Sequence, residues 1–349
     1  MSTRAAARTA PAAHRRSLRE AGASTVEYLG LMTVVAVVVS SLVVAFVSTP
    51  WTDYTRTQIC KVLSPGADCS MPLTFGDPTP YERAIAGRYV AMGDSFSSGE
   101  GAYDYEDDTE TDENGCHRSA NAYGAVVARN HPFAGGSSFV ACSGARHGDL
   151  ENPSSHQGEG PQLDALGPDV TFVTMSMGGN DLGFADVLKD CVINGESGLP
   201  FLQSCKDKHA KRIDDRLPLL QQELLERYRQ IQARSPGARV VIVGYPELFV
   251  ENPSDNYRNL LFAKDQVWMN EQARRLNAAL AEAAKQAGVE FVNPTEAFRG
   301  HGIGSDDPWF NDITLFGPGG SPVDPGSFHP NAAGQAALAA LVEEQLRNP

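Results

Sequence analysis

Short apolar runs bounded by turn residues alternate with longer stretches whose apolar positions return every three or four residues. The short runs are Tyr89–Met92, Ser138–Ala141, Val170–Met175, Arg239–Val243 and Val289–Val292. Their length and their Val, Ile and Phe content predict strands rather than helices. The longer stretches Asn121–Arg129, Leu217–Ala233, Asp265–Gln286 and Ala332–Arg347 carry the helical period. Strands alternating with helices imply βαβ units and a parallel sheet covered on both faces. Right-handed crossovers leave few topologies for such a chain. The expected fold is therefore an α/β three-layer sandwich around an open five-stranded parallel sheet. No internal repeat interrupts the pattern.

Upstream of this domain the pattern changes. From Tyr28 to Val47 about twenty residues run without a charge, enough to cross a bilayer as a helix. Arg4, Arg8, Arg15, Arg16 and Arg19 precede the run against Glu20 alone. Such a basic flank stays on the cytoplasmic side, and Trp51 and Tyr54 beyond the run suit the opposite headgroup zone. The organisation expected is a basic cytoplasmic leader over 1–22, one transmembrane helix over 23–48, a Pro-, Thr-, Asp- and Gly-rich stem over 49–82, and a catalytic domain over 83–349. The protein would thus sit in the cell membrane as a single-pass anchor with its domain extracytoplasmic. The apolar run is too long for the core of a cleaved secretory signal.

Six cysteines among the 349 residues fit an oxidising location. Proximity in the chain suggests Cys60–Cys69, Cys116–Cys142 and Cys191–Cys205, although six cysteines allow fifteen connectivities. No Cys-x-x-Cys or Cys/His cluster indicates a zinc site. The net charge of -14 argues against a nucleic-acid partner, because no basic surface is available to displace counterions. An acidic balance mainly keeps an exported protein soluble. The acidic run Tyr103–Gly115 carries Glu110, Asp112, Asn114 and Gly115 at spacings faintly like a calcium loop. Asn121 stands where that loop needs a glutamate, so a solvated, mobile loop beside the cleft is the preferred reading.

The chemistry lies at the strand ends. Ligands of open α/β sheets bind at the carboxyl ends of the strands. The first strand runs into Gly93-Asp94-Ser95, the second into Ser143-Gly144-Ala145, the third into Gly178-Gly179-Asn180-Asp181. After the last strand and a long loop, Phe328-His329-Pro330-Asn331 opens the final helix. A serine hydroxyl needs a base to become a nucleophile, and His329 is the candidate base for Ser95. The oxyanion of an acyl-transfer intermediate needs donors in place. Ser95 N–H, Gly144 N–H and the Asn180 side-chain amide can supply them. Blander roles exist for each: an Asp-Ser turn at 94–95, helix capping by Asn180 or Asp181, a helix-start residue at 329. Their convergence on one edge weighs against that. His117, His147 and His301 are expected near the cleft without acting as base. No metal and no organic cofactor is required. No Gly-Lys-Ser/Thr phosphate loop and no Gly-x-Ser-x-Gly elbow is present.

The segment Tyr89-Val-Ala-Met-Gly-Asp-Ser-Phe-Ser-Ser-Gly-Glu-Gly101 resembles block I of the SGNH/GDSL hydrolases. Gly144, Gly178-Gly-Asn-Asp181 and His329-Pro330 match the later blocks in order. Cys116-His-Arg-Ser119, Val243-Gly-Tyr-Pro246, Gly300-His-Gly302 and Asp307-Pro-Trp309 resemble the secreted actinobacterial esterase/lipase branch. The resemblance implies a flavodoxin-like SGNH fold and a serine esterase acting on a lipid, a short-chain ester or an acetylated glycan. It also implies catalytic Ser95 and His329, with Ser95, Gly144 and Asn180 forming the oxyanion hole. The usual triad acid stands three residues before the histidine, where this chain has Gly326. Two readings follow. In one, Ser95 and His329 form a dyad oriented by a main-chain carbonyl near Gly326 or Ser327. In the other, Asp324 is the third triad member. The branch's cysteine after Gly-His-Gly is absent, so one of its disulfides is missing and Cys60–Cys69 is a separate stem feature.

A second resemblance covers only the N-terminal segment. Gly22-Ala23-Ser-Thr-Val-Glu27 before the apolar run resembles the processing site of Flp/TadE-type pilin-like proteins. It implies cleavage between Gly22 and Ala23 and pilus-assembly machinery as a partner. The plain alternative is an uncleaved anchor whose Ser24 and Glu27 form a capping box. The alternative function is then a pilin-like surface component whose domain binds an envelope ligand without catalysis.

Overall fold

The computed structural model describes residues 77–153, 159–194, 204–253, 261–315 and 323–348. The leader 1–22, the expected membrane helix 23–48, the Gly22–Ala23 junction, nearly all of the stem and Cys60–Cys69 lie outside the described residues. Among the described residues no helix is long and apolar enough to cross a membrane.

The compact unit begins at Asp77, ahead of the expected start at 83. Thr79 accepts from Glu82 N–H while the Glu82 carboxylate accepts from Thr79 N–H, and this capping box starts helix α1, Pro80–Ile85. Pro80 suits the first turn because its missing N–H has no partner there anyway. The Pro and Thr that read as stem composition are helix-start residues. Next come β1 (Arg88–Gly93), the single turn α2 (Ser95–Ser98), α3 (Tyr123–Asn130), β2 (Ser137–Phe139) and β3 (Val170–Ser176). The chain continues through α4 (Gly179–Leu182), α5 (Phe184–Asn194), α6 (Cys205–Arg234), β4 (Arg239–Val243), α7 (Ala263–Ala287), β5 (Glu290–Val292) and α8 (Ala332–Arg347).

The five strands form one sheet in the order β2-β1-β3-β4-β5, and every neighbouring pair is parallel. The expected five-stranded parallel α/β sandwich is therefore observed. β1 steps outward to β2, whereas β3, β4 and β5 step the other way. Right-handed crossovers then send α3 to one face and α6 and α7 to the other. The packing agrees: α8 lies on α3 and α1, and α6 lies along α7. Buried on both faces, β1 and β4 read as apolar runs, and β3 as a mainly apolar one that buries Thr174 and Ser176.

Two boundaries differ from expectation for identifiable reasons. β2 stops at Phe139 instead of Ala141, yet Val140 N–H still donates to Ala91 O at 2.9 Å and Cys142 N–H to Gly93 O at 3.0 Å. α6 starts at Cys205 rather than Leu217 and passes straight through Pro218. Its first turns are almost wholly charged and bury only Cys205 and Ile213, so they carry no apolar period. The Cys191–Cys205 disulfide ties the first turn to α5. Cys116–Cys142 is the other disulfide among the described residues.

Phe172 anchors the sheet core. It is fully buried and lies 5.3 Å from the Tyr89 ring and 5.9 Å from Phe133 between centroids. Phe172→Ala leaves a cavity there and should cost about 3–5 kcal/mol of stability. Urea denaturation followed by circular dichroism should show a clearly lowered midpoint; an unchanged midpoint would contradict this placement of the core.

Candidate active site

The order β2-β1-β3 makes the gap beyond β1 and β3 a point where successive crossovers diverge. A crevice opens at the carboxyl ends of strands at such a point. Ser95 stands at its floor as the first residue of α2, with Asp94 as N-cap accepting from Phe96 N–H at 3.1 Å. Only 6% of Ser95 is exposed. His329 arrives from the far end of the chain, two residues before Asn331, the N-cap of α8. Its Nε2 lies 2.9 Å from Ser95 Oγ. Its Nδ1 lies 3.1 Å from the carbonyl oxygen of Ser327, which leaves Nδ1–H as donor and Nε2 as acceptor. Asp324 does not meet the imidazole; its Oδ1 accepts from Gly326 N–H at 2.8 Å. Burial pushes the His329 imidazole below its ordinary value, against the charge of Glu100, the carbonyls of Ser327 and Pro325, and the charge of Asp324.

Three candidate donors follow three strand ends. Ser95 N–H and Gly144 N–H donate to no protein acceptor among the described residues. Gly144 has φ +80°, a left-handed backbone that a side chain would strain. Asn180, in the turn of α4 after β3, donates from Nδ2 to Ala145 O at 3.0 Å. That bond ties the amide to the Gly144 loop and leaves its second hydrogen without a protein acceptor among the described residues. The structure thus brings Ser95, Asn180 and His329 to one crevice, with the Gly144 loop tied to Asn180 through Ala145 O. Ser95, Asn180 and His329 line a cavity of ≈ 210 Å³ whose other walls include Phe184, Leu188, Leu248, Leu276, Ile313 and Phe328.

Other residues fall elsewhere than expected. None of His117, His147 and His301 lines this cavity. His147 Nδ1 is 2.5 Å from Asp181 Oδ1, and Asp181 also accepts from His147 N–H at 3.1 Å. Asp181 therefore braces the Gly144 loop instead of capping a helix. His301 stacks on Trp309 with centroids 3.7 Å apart. The acidic loop 103–115 is not simply solvated: Thr109 is fully buried and accepts from Arg118 N–H at 3.0 Å, and Arg118 pairs with Glu106 and Glu159. Internal pairing absorbs part of its charge. Among the described residues no cluster of three or more His, Cys, Asp or Glu could hold a metal ion.

Several supporting residues escaped sequence reasoning. Tyr245 OH donates to Asp94 and accepts from Gly179 N–H at 3.1 Å, joining the serine turn to the asparagine turn. Gln162 clasps Gly93 by both its N–H (2.7 Å) and its carbonyl (2.9 Å). Asn311 Nδ2 donates to Gly101 O at 2.7 Å and Gly326 O at 3.1 Å, and Asn311 exchanges main-chain bonds with Phe328 and His329. Phe328 is held at φ +64°, an uncommon conformation that persists only where the surroundings enforce it. Only Tyr245 carried a signal, inside Val243-Gly-Tyr-Pro246; the single polar letters Gln162 and Asn311 carried none.

The profile of the GDSL-like Lipase/Acylhydrolase family matches residues 91–337. The chain is 35% identical over 257 residues to a lipase of Streptomyces rimosus, covering 73% of this chain and 84% of that one. It is 33% identical over 283 residues to Lipase 1 of Streptomyces coelicolor, covering 79% and 91%. Among solved structures, phospholipase A1 from Streptomyces albidoflavus NA297 superposes with a TM-score of 0.63 at 32% identity, over 74% of this chain and 99% of that one.

Burial pushes the Asp94 carboxyl up to about 7, against its bonds from Tyr245 and Phe96. A carboxyl raised in the folded state contributes stability that is full below its unfolded value near 4 and is lost as pH rises through about 7. Thermal denaturation across that window should therefore fall more steeply with pH for the wild type than for Asp94→Asn. Parallel curves would remove Asp94 as the source.

Proposed function

The chain belongs to the GDSL-like Lipase/Acylhydrolase family and is a carboxylic-ester hydrolase, and from that premise we propose a mechanism built on a Ser95–His329 dyad. One observation carries the proposal: His329 Nε2 stands 2.9 Å from Ser95 Oγ in the wall of an apolar cavity. Ser95 Oγ attacks the acyl carbonyl as its proton passes to His329 Nε2. The Ser95 and Gly144 N–H groups and the Asn180 amide receive the oxyanion. His329 returns the proton to the leaving alcohol, and water then releases the acyl-enzyme by the same route. The dyad form is supported by Ser327 O on Nδ1, since orienting the base requires a well-placed acceptor rather than a charge.

The apolar walls favour an acyl chain over an acetyl group. Relatives named lipase and phospholipase A1 point the same way. We also infer single-pass anchoring, with the domain extracytoplasmic, from the uncharged run Tyr28–Val47 and its basic flank. Pilin-type processing at Gly22–Ala23 is a separate proposal, tested by mass spectrometry of the mature N-terminus. A start at Ala23 supports it, and an intact leader refutes it.

Ser95→Ala should abolish both p-nitrophenyl ester hydrolysis and labelling by a fluorophosphonate; retained labelling rules Ser95 out as nucleophile. Asn180→Ala should lower kcat by about 10²–10³ with little change in KM. Because His329 must be neutral to act, its depressed pKa sets the acid limb of kcat/KM below the usual histidine value of about 6.5. A chain-length series should show higher kcat/KM for octanoyl than for acetyl esters. The reverse order would contradict the acyl-chain reading of the cavity.

A further inference from the structure

A dyad lacks the anion that a triad sets behind its histidine. Yet a carboxylate is buried one residue away from the His329 wall. Gly101 lies directly against the base: a Cβ at that position would stand 2.9 Å from His329 Cβ and 2.8 Å from Gly326 O. The preceding residue is Glu100, only 2% exposed and not hydrogen-bonded to His329. Its Oε2 is 2.6 Å from His117 Nδ1, and its Oε1 accepts from Tyr105 OH at 3.0 Å. Tyr105 OH in turn accepts from Gly101 N–H at 2.8 Å, and its ring stacks on His117 with centroids 4.8 Å apart.

The backbone around this group is strained. Tyr103, Asp104 and His117 all have positive φ, at 54°, 51° and 47°. Such conformations in non-glycine residues are costly and persist where the fold enforces them. Here they deliver Tyr105 and His117 to one buried carboxylate that the proposed mechanism does not use. A surface ion pair needs no such construction.

We propose that Glu100 supplies the negative charge that the dyad lacks, stabilising the His329 imidazolium through space from behind the Gly101 backbone. It is a positioning residue, since it touches neither substrate nor the reacting atoms. The proton leaving Ser95 Oγ still goes to His329 Nε2, and Glu100 takes none. Burial alone pushes the Glu100 carboxyl up, but the His117 hydrogen bond, the charges of His329 and His117, and Ser143 hold it below the usual range. His117 is itself raised, chiefly by that bond, against burial, with Glu100, Glu110 and Asp324 adding charge. The ionisable groups acting on His329 are therefore Glu100 and Asp324; on Glu100 they are His117, His329, Tyr105 and Tyr103.

The proposal rests on His329 as the base, and Ser95→Ala and His329→Ala test that reading separately. Glu100→Gln keeps shape and hydrogen-bonding capacity while removing the charge. It should lower kcat/KM by about tenfold or more, far less than the ~10⁴-fold cost of misorienting a histidine base by changing a bonded triad acid. Its acid limb should also move to lower pH by about one unit, the size of a unit charge felt across roughly 12 Å at an effective protein dielectric of ~20. His117→Asn keeps a donor for Glu100 and tolerates the left-handed backbone at 117. By letting burial reprotonate Glu100, it should move the limb the same way by a smaller amount. If Glu100→Gln does not fold by circular dichroism, His117→Asn decides alone. Reduced activity with the limb unmoved would mean Glu100 is structural only, and would overturn the proposal.

Discussion

A 2.9 Å hydrogen bond must join side chains 234 residues apart, Ser95 and His329, and the architecture is arranged around that requirement. A bond between two uncharged groups is worth only about 1 kcal/mol net, so it cannot hold the loop by itself. The loop is held instead by side-chain and main-chain bonds to its backbone. Asn311 spans Gly101, Gly326, Phe328 and His329, a side chain at Gly101 would clash with Gly326 O, and one at Gly326 would crowd Gly101 Cα. The strained φ of Phe328 is tolerated because its ring is buried and its N–H is bonded. Rigidity around the imidazole keeps Nδ1 against the Ser327 carbonyl, the arrangement on which the proposed dyad rests.

The second half of the site follows from sheet topology. Ser95, Gly144 and Asn180 follow β1, β2 and β3, which lie side by side, so three remote chain segments reach one crevice without long excursions. Polar side chains then lock the turns to each other. Tyr245, beyond β4, bridges Asp94 and Gly179; Gln162 clasps Gly93; Asp181 holds His147 beside the Gly144 loop. These groups are buried, and buried polar groups are costly unless paired. Their pairing with one another both satisfies that requirement and fixes the geometry of the turns.

Charge near the base is handled at a distance. Glu100 is buried with His117, so the pair presents little net charge to solvent while the carboxylate is set close behind the Gly101–His329 contact. Asp324, nearer to the histidine in sequence, spends one oxygen on the Gly326 N–H that shapes the loop. Sequence proximity is thus a poor guide to which acid acts on the imidazole, because the loop turns Asp324 toward its own backbone.

Much of this was legible in the amino-acid order. β1, β3 and β4 announce themselves because strands buried on both faces must be mainly apolar, and Ser95, Gly144 and Asn180 stand just beyond the strand ends, where ligands bind. The first turns of α6 were not legible, since a charged helix held by a disulfide and one buried isoleucine shows no period. Gln162, Asn311 and Glu100 were equally silent, because a single polar residue has no pattern until its partner is known. The sequence by itself determined the fold class and the parallel sheet, and it singled out Ser95, His329, Gly144 and Asn180 as the candidate site residues, because periodicity and local turn chemistry are properties of neighbours in the chain. Only the tertiary structure decided which acceptor faces Nδ1, which polar groups brace the turns and which carboxylate lies behind the base. Those depend on contacts between residues far apart in the chain, and no local pattern encodes them.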